Sequence, residues 1–335
     1  MKFRDIAKAI EAWAPPVLAE SYDNVGLLVG EPDTEATGVL INLDVTEALI
    51  DEAVAKGCNM IITHHPIWFT GIKRLNGENY VSRIILKAIR EKVGLYACHT
   101  NLDNIQTGVN RMIGERLGVE KMRVLSTKKD QMRFLVCAVP NAVFDKTAAA
   151  MKAAGARNIR NADTANAGLL ECTLPVYYQG AVISALRKHH PAANPVIHLM
   201  PTFDKDQESG SGMIGELPAP MAKEDFMKLL KERFGSGGIR YADSHHKTIK
   251  KVAWCGGAGS FLIRNAISAG ADAFFTGDIT YHKYFDNEGK ILLLDIGHFE
   301  SEQFTSNLLH SHLSKIFANF AVRLSEINTN PVKYI

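Results

Sequence analysis

The sequence has few cysteines, and none of them lies in a disulfide or metal-binding pattern. Five cysteines are scattered over 335 residues, and no two form a Cys-x-x-Cys pair. Neither a disulfide framework nor a thiolate zinc site is therefore indicated. We expect the thiols to be reduced and mostly buried, as in a cytoplasmic protein.

Long apolar runs and a large net charge are also missing. No stretch approaches the ~20 apolar residues that a membrane-spanning helix needs, and Asp5 and Glu11 interrupt the region where a signal peptide would be apolar. The formal net charge is only +2, which argues against a dedicated nucleic-acid or membrane-surface binder. The length predicts about two globular domains.

The chain contains an internal repeat, which bears on the fold before any single motif does. Residues 39–65 and 252–278 align without a gap. Each copy predicts a buried strand, a helix with apolar residues at spacings of three and four, and a second strand. That second strand ends in a polar cluster, which is His64-His65 in one copy and Gly277-Asp278 in the other.

A further strand in each half runs into a histidine and, four residues later, a carboxylate. The two units are His99…Asp103 after strand 93–98 and His298…Glu302 after strand 291–296. Matches in the same order along the chain predict an α/β fold. Its two core halves would be duplicates, related by an approximate twofold axis.

These polar clusters follow the carboxyl ends of predicted parallel strands, where ligands bind in open α/β sheets. Imidazole and carboxylate groups suit first-row divalent metals. Adjacent His64 and His65 can serve two neighbouring ions, because Pro66 ends the strand at once. The sequence therefore predicts two divalent ions in one cleft, with the ligands His64, His65, Asp103, His298 and Glu302.

Each ligand also has a simpler interpretation when it is taken alone. His64 resembles a loop histidine, Asp103 a helix cap, and His298 with Glu302 a pair on a helix surface. Their repeat-equivalent positions favour the metal site.

Other candidates are less specific. The loop of Gly256, Gly257, Gly259 and Ser260 follows a strand, and it could offer N–H groups to a phosphate or form a tight turn. Asp278 and His282 could line the cleft as proton-transfer groups, although Asp278 could equally cap a helix. Lys73 and Arg74 could meet substrate phosphates, although a solvated loop is simpler.

The middle of the chain interrupts the repeat. Residues 128–206 predict strand, helix, strand, strand, helix and strand, which is the ferredoxin-like order. Residues 204–212 resemble a flexible return linker. The predicted organisation is a core first half over 1–127, an inserted ferredoxin-like α+β domain over 128–206, and a core second half over 207–335. Oligomer contact, lid and sensor roles stay open for the insert.

Five motifs resemble the family of GTP cyclohydrolase 1 type 2 homologs, which are hexameric proteins with a dinuclear metal centre. In the family's order they are Tyr22–Gly30, Thr63–Pro66, His99–Asp103, Gly277–His282 and Gly297–Glu302. The stretch Ile214–Met221 is also similar to the family. Together these motifs extend the resemblance over nearly the whole chain.

The resemblance implies a homohexamer built as a trimer of dimers, with Glu302 bridging two ions that could be Zn, Mn, Fe, Co or Mg. It also implies an insert of the PII or CutA type. Residues 190–195 depart from it, because His-Pro-Ala-Ala-Asn-Pro stands where members often have His-Pro-Tyr-Glu-Glu. The family name implies hydrolytic opening of the purine ring of GTP, although fold and metal site do not fix a substrate.

Two functional hypotheses follow. In the first, the protein is a cytoplasmic metal-dependent hydrolase of a nucleotide or related phosphorylated compound, with Asp278 or His282 moving protons and the loop 256–260 holding phosphate. The alternative is a non-enzymatic metal-binding regulatory or scaffold hexamer. No membrane partner is expected, and no basic and aromatic run predicts a channel for single-stranded nucleic acid.

Overall fold

The computed structural model describes residues 1–162 and 168–335. Its contacts divide the chain into two compact units. Residues 1–126 and 210–335 form the larger unit, and residues 127–209 form the smaller one. The larger unit is therefore assembled from two sequence segments, and the smaller unit lies between them in the sequence.

Strands and short helices alternate through most of the chain. The strands are β1 (Gly26–Val29), β2 (Val39–Asn42), β3 (Met60–Thr63), β4 (Gly94–Ala97), β5 (Glu120–Thr127), β6 (Met132–Val139), β7 (Arg157–Asn161), β8 (Gly168–Pro175), β9 (Ile197–Pro201), β10 (Gly210–Ala222), β11 (Arg240–Ala242), β12 (Thr248–Trp254), β13 (Ala273–Thr276), β14 (Leu292–Asp295) and β15 (Val322–Leu324). The helices are α1 (Phe3–Trp13), α2 (Glu47–Ala55), α3 (Tyr80–Arg90), α4 (Thr100–Asp103), α5 (Val109–Leu117), α6 (Asn141–Ala153), α7 (Gln179–His189), α8 (Lys223–Phe234), α9 (Ile263–Ser268), α10 (His298–Glu302) and α11 (Thr305–Ile316).

The larger unit contains two mixed sheets. The first has the order β1-β4-β3-β2-β15, with β1 antiparallel to β4 and the other neighbours parallel. The second has the order β11-β14-β13-β12-β10-β5. Its strands β12, β13 and β14 are parallel, while β11 and β10 pair antiparallel with β14 and β12. The expected α/β class is therefore confirmed.

The parallel strands lie in the core because their sequences are apolar on both faces. Every residue of β2, β3, β4, β13 and β14 is buried, as parallel strands covered by helices require. Thr46 caps the beginning of helix α2, because its hydroxyl accepts the Leu49 N–H at 3.1 Å. Gly57 and Gly270 follow α2 and α9 with φ of +68° and +70°, a conformation that suits glycine.

The two repeat copies pair their strands in the same way. Val39 lies opposite Met60 in the first sheet, and Val252 lies opposite Ala273 in the second. The spacing between paired residues is the same in both copies. The carboxyl ends of β3 and β4, and those of β13 and β14, are therefore the edges from which the polar clusters emerge.

The smaller unit has the element order β6, α6, β7, β8, α7, β9. Its antiparallel sheet has the order β7-β8-β6-β9. Leu135, Leu170, Val182 and Leu186 lie in its hydrophobic core, which joins the sheet to the helices. The sequence of strands and helices expected for the insert is therefore present.

One local expectation differs from the structure. The segment expected to be a flexible linker is partly ordered by a buried carboxylate. Asp206 is fully buried and accepts hydrogen bonds from Arg157 at 3.0 Å and from the Tyr177 hydroxyl at 2.8 Å.

Among the helices in the described ranges, none combines the length and the apolarity that a membrane span requires.

Close packing of α5 on β12 gives a test of the core. A Cβ atom at Gly114 would lie 2.3 Å from Met122 Sδ and 2.4 Å from a ring carbon of Trp254, which is fully buried. We expect Gly114→Ala to lower the free energy of unfolding by about 1–3 kcal/mol, because the core must shift to admit one methyl group. Urea unfolding followed by circular dichroism measures it.

The matched control is Gly180→Ala in α7, where an added Cβ meets nothing within 4 Å. This change should leave stability the same or raise it by up to about 1 kcal/mol, because alanine loses less backbone entropy in a helix. Equal stability of the two variants would contradict the assigned packing.

Candidate metal centre

The candidate ligands leave the sheets just beyond the ends of three parallel strands. The N–H groups of His64 and His65 both donate to the Leu43 carbonyl, at 3.1 and 3.0 Å. Regular strand pairing therefore stops at this point, immediately after β3. Asp103 ends α4, which begins two residues after Cys98, and Glu302 ends α10, which begins after Gly297.

In one group of ligands, His64 and Glu302 are buried and Asp103 is partly buried. His64 Nε2 lies 3.6 Å from Asp103 Oδ1 and 3.7 Å from Glu302 Oε1. Neither His64 Nε2 nor Asp103 Oδ1 has a hydrogen-bond partner among the described residues. Buried polar atoms of this kind are rare unless water or an ion satisfies them. Ligand atoms that share one ion at about 2.0–2.2 Å lie roughly 3–3.5 Å apart, so a small movement would let these three share an ion.

A second group lies beside the first. Glu302 Oε2 is 3.1 Å from His65 Nε2 and 3.1 Å from His298 Nε2. The two imidazole nitrogens are 3.2 Å from each other. The three atoms form a nearly equilateral triangle that could hold a metal ion. Glu302 therefore presents one oxygen to each group.

The other ring nitrogen of each histidine is held by an acceptor. His64 Nδ1 donates to the Cys98 carbonyl at 2.8 Å, His65 Nδ1 to Asp44 at 2.7 Å, and His298 Nδ1 to Asp278 at 2.7 Å. Because these acceptors are oxygens, they assign a proton to Nδ1 and direct Nε2 towards Glu302. Histidine ligands of metals are usually oriented in this way.

Two carboxylates at the centre are absent from the ligand set expected from the sequence. Asp44 holds His65 and accepts a hydrogen bond from the Thr329 hydroxyl at 2.7 Å. Asp23 accepts from His99 Nδ1 at 2.9 Å. Asp44 follows β2 at the same sheet edge as His64, and Asp23 lies in the motif 22–30. These two positions are the only features of the sequence that point to Asp44 and Asp23.

The electrostatics of the centre favour positive charge. Burial disfavours charged His65, but hydrogen bonds to Asp44 and Glu302 outweigh it and raise the pKa of His65 to about 9. Burial is likewise outweighed at His298, whose pKa rises to about 11. Burial and the nearby charge of Glu302 raise the pKa of Asp103 above its usual range. The site therefore keeps these two histidines protonated and disfavours ionisation of a second carboxyl group beside Glu302. Bound cations would stabilise such a site by neutralising the carboxylates.

The glycine loop gives Glu302 the space to enter the centre. A Cβ atom at Gly257 would lie 2.5 Å from Glu302 Oε1, and Gly257 has a φ of +59°. Ser260 begins a short 3₁₀ turn over Ser260–Leu262. Three loop N–H groups donate to side chains of the protein: Gly256 to Asn110, Gly257 to Ser301 and Gly259 to Thr276. Phosphate binding by this loop stays a prediction, and these bonds argue against it.

The two proposed proton-transfer residues have different surroundings. Asp278 lies in the left-handed region with a φ of +53° and holds His298. His282 is exposed in the 3₁₀ turn Tyr281–Asn287, where its ring contacts Tyr281. Among the described residues, no contact joins His282 to the ligand cluster. His99, in contrast, forms a group with His64 and His65.

Comparison with known protein families identifies a match over almost the whole chain. The model of the Duf34/NIF3 (NGG1p interacting factor 3) family matches residues 1–331. A protein from Staphylococcus epidermidis named GTP cyclohydrolase 1 type 2 homolog is 31% identical over 367 aligned residues, which cover 100% of both chains. A protein of the same name from Staphylococcus aureus is 29% identical, also over 100% of both chains.

Solved structures also match over the full length of the chain. A Bacillus cereus protein related to NIF3 has a TM-score of 0.87 and 28% identity, covering 100% of this chain and 99% of that one. Staphylococcus aureus protein SA1388 has a TM-score of 0.82 and 30% identity over the same shares. The fold of the described chain is therefore similar to folds that experiment has found in related proteins.

The position of Glu302 between two ligand groups predicts unequal effects of two substitutions. Glu302→Gln should lower metal content more than His65→Ala does, because His65 belongs to only one of the two triangles around Glu302. Metal content is measured by mass spectrometry after dialysis against excess Mn²⁺ and removal of free metal.

His282→Ala serves as the control and should keep wild-type metal content. If His65→Ala and Glu302→Gln lost the same amount, or neither lost any, Glu302 would not have the shared role that its position gives it.

Proposed function

Because the chain belongs to the Duf34/NIF3 family, we propose that its histidine and carboxylate cluster is a dinuclear divalent-metal centre. His64 and Asp103 would hold one ion, His65 and His298 the other, and Glu302 would bridge both. The observation that carries this proposal is the separate placement of the two Glu302 oxygens, 3.7 Å from His64 and 3.1 Å from His65 and His298.

The chemistry that the centre would support is hydrolysis. When bound, a pair of divalent ions polarises a substrate oxygen and lowers the pKa of water. Asp44 and Asp278 fix the rings of His65 and His298, so the ligand geometry changes little during a reaction. Glu302 is only 2% exposed, which keeps bulk water away from its carboxylate.

His99 is the residue best placed to accept a proton from the attacking water. Its Nδ1 donates to Asp23, so its Nε2 is the basic nitrogen, and the ring lines a cavity beside Glu302. Burial alone would raise the pKa of Asp23, but the hydrogen bond and charge of His99 outweigh it and lower this pKa to about 2. Asp23 is therefore a carboxylate, and it would stabilise the imidazolium that His99 becomes. We assign this role to His99 and not to Asp278, because the Asp278 carboxylate already accepts a hydrogen bond from the proposed metal ligand His298.

The proposed substrate is a nucleotide or a related phosphorylated compound. This choice rests on the name shared by the relatives in Staphylococcus, GTP cyclohydrolase 1 type 2 homolog. We further propose a cytoplasmic homohexamer arranged as a trimer of dimers, on the basis of the motif resemblance alone.

Two finer features of the fold belong to the same proposal. The equal registers of β2 with β3 and of β12 with β13 support duplicated halves related by a pseudo-twofold axis. The strand order β7-β8-β6-β9 with two helices supports a ferredoxin-like inserted domain.

Turnover of GTP by protein loaded with Mn²⁺, Zn²⁺, Fe²⁺ or Co²⁺ tests the hydrolase. We expect His99→Gln to lower kcat by about 10²- to 10⁴-fold, the usual contribution of a positioned base, while metal content stays near that of wild type. His282→Gln should turn over at the wild-type rate.

Absence of turnover with every metal would leave a non-enzymatic metal-binding protein and overturn the hydrolase. Loss of metal in His99→Gln would instead make His99 a ligand. Loss of activity in His282→Gln would contradict the assignment of the base.

A further inference from the structure

A cavity of about 420 Å³ opens onto one side of the proposed metal centre. His99 and Glu302 form part of its wall, and three large aromatic side chains, Tyr22, Phe69 and Phe261, form another part. The volume lies within the roughly 300–1,000 Å³ of small-molecule sites. A molecule in this cavity would therefore reach the centre and touch aromatic rings at the same time.

The three aromatic residues are exposed, and they come from three different segments of the chain. Tyr22 is 64% exposed, Phe69 50% and Phe261 62%. Tyr22 precedes β1, Phe69 lies in the loop after His65, and Phe261 lies in the turn after the glycine loop. The Phe69 and His99 rings are 5.7 Å apart. Large exposed rings that converge on one cavity commonly mark a binding site.

The charge of the cavity wall is negative apart from its histidines. Glu20, Asp44, Asp103 and Glu302 line it. No lysine or arginine lies in this wall as far as the described residues define it, and Lys73 and Arg74 do not belong to it. Apart from the proposed metal ions, a polyphosphate chain would find no basic side chain in this wall to pair with.

The amide side chains of the wall are already occupied within the protein. Asn104 donates to the Leu18 carbonyl at 2.9 Å and accepts from Ser211 at 2.9 Å. Asn110 donates to the Asp103 carbonyl at 3.1 Å and accepts from the Gly256 N–H at 3.0 Å. These groups have little capacity left to read the edge of a ligand, so stacking is the main means of recognition.

We propose that this cavity binds a flat, uncharged heteroaromatic ring by stacking on Tyr22, Phe69 and Phe261. The ring, and not a phosphate group, supplies most of the affinity. Because stacking tolerates every base, the site discriminates weakly between purines. This inference rests on the proposed function only in that it places the ring of the substrate beside the metal centre.

Binding measurements test the inference without requiring turnover. The full chain loaded with Mn²⁺ is titrated calorimetrically with guanosine, adenosine, guanosine monophosphate and ribose 5-phosphate. We expect the first three to bind with Kd values within about fivefold of one another, and ribose 5-phosphate to bind at least tenfold more weakly than guanosine.

Phe261→Leu and Phe69→Leu keep an apolar side chain but remove the ring. Each should weaken guanosine binding by about 5- to 100-fold, the usual effect of losing one stacking partner. Phe203→Leu is the matched control, because Phe203 is fully exposed in the smaller unit. This substitution should leave the Kd for guanosine unchanged. Melting temperature and metal content confirm that each variant is folded and loaded.

Three results would overturn the inference. They are tighter binding of ribose 5-phosphate than of guanosine, unchanged guanosine binding in both leucine variants, and a change of oligomeric state in those variants without a change of affinity. The last would mean that the rings form an interface between copies of the chain. Guanosine binding without any turnover would uphold the ring site and overturn only the hydrolase.

Discussion

The buried carboxylate of Glu302 is the constraint around which the larger unit is organised. It is 2% exposed and lies within 3.7 Å of three imidazoles, two of which come from the first sheet. Removing a carboxylate from water costs several kcal/mol unless charges or hydrogen bonds compensate it. The centre therefore needs the imidazoles, and it needs the two sheets to keep their carboxyl edges together.

Several features that look unrelated in the sequence serve this one arrangement. Gly257 leaves the space that Glu302 occupies. Ser301 accepts the Gly257 N–H, which ties the glycine loop to α10. The acceptors on the Nδ1 atoms of His64, His65 and His298 direct all three Nε2 atoms inward. A centre built in this way would change little in geometry on binding cations, because its candidate ligands are already oriented.

The sequence predicts much of the core because its repeat is strong and its strands are entirely apolar. The sequence predicts that His64, His65 and Glu302 share one cleft, because each follows the carboxyl end of a parallel strand and the two duplicated halves would pool these strand-end clusters. Contacts made by distant loops could not be predicted. The bond from Thr329 to Asp44 spans 285 positions and depends on the path of the last residues. Similarly, no local signal shows that Asn110 accepts the Gly256 N–H or that the chain leaves the helix after Glu302.

Because the candidate ligands are far apart along the chain, they are also synthesised at different times. His65 and Glu302 are 237 positions apart. At a synthesis rate of about 5–20 residues per second, the first histidines leave the ribosome roughly 10–50 s before the carboxylate that completes their surroundings. During that interval the imidazoles belong to a half-built sheet. Loading of the proposed metal centre would therefore be a late event in the maturation of the protein, because the nascent chain passes through a period in which its ligand set is incomplete.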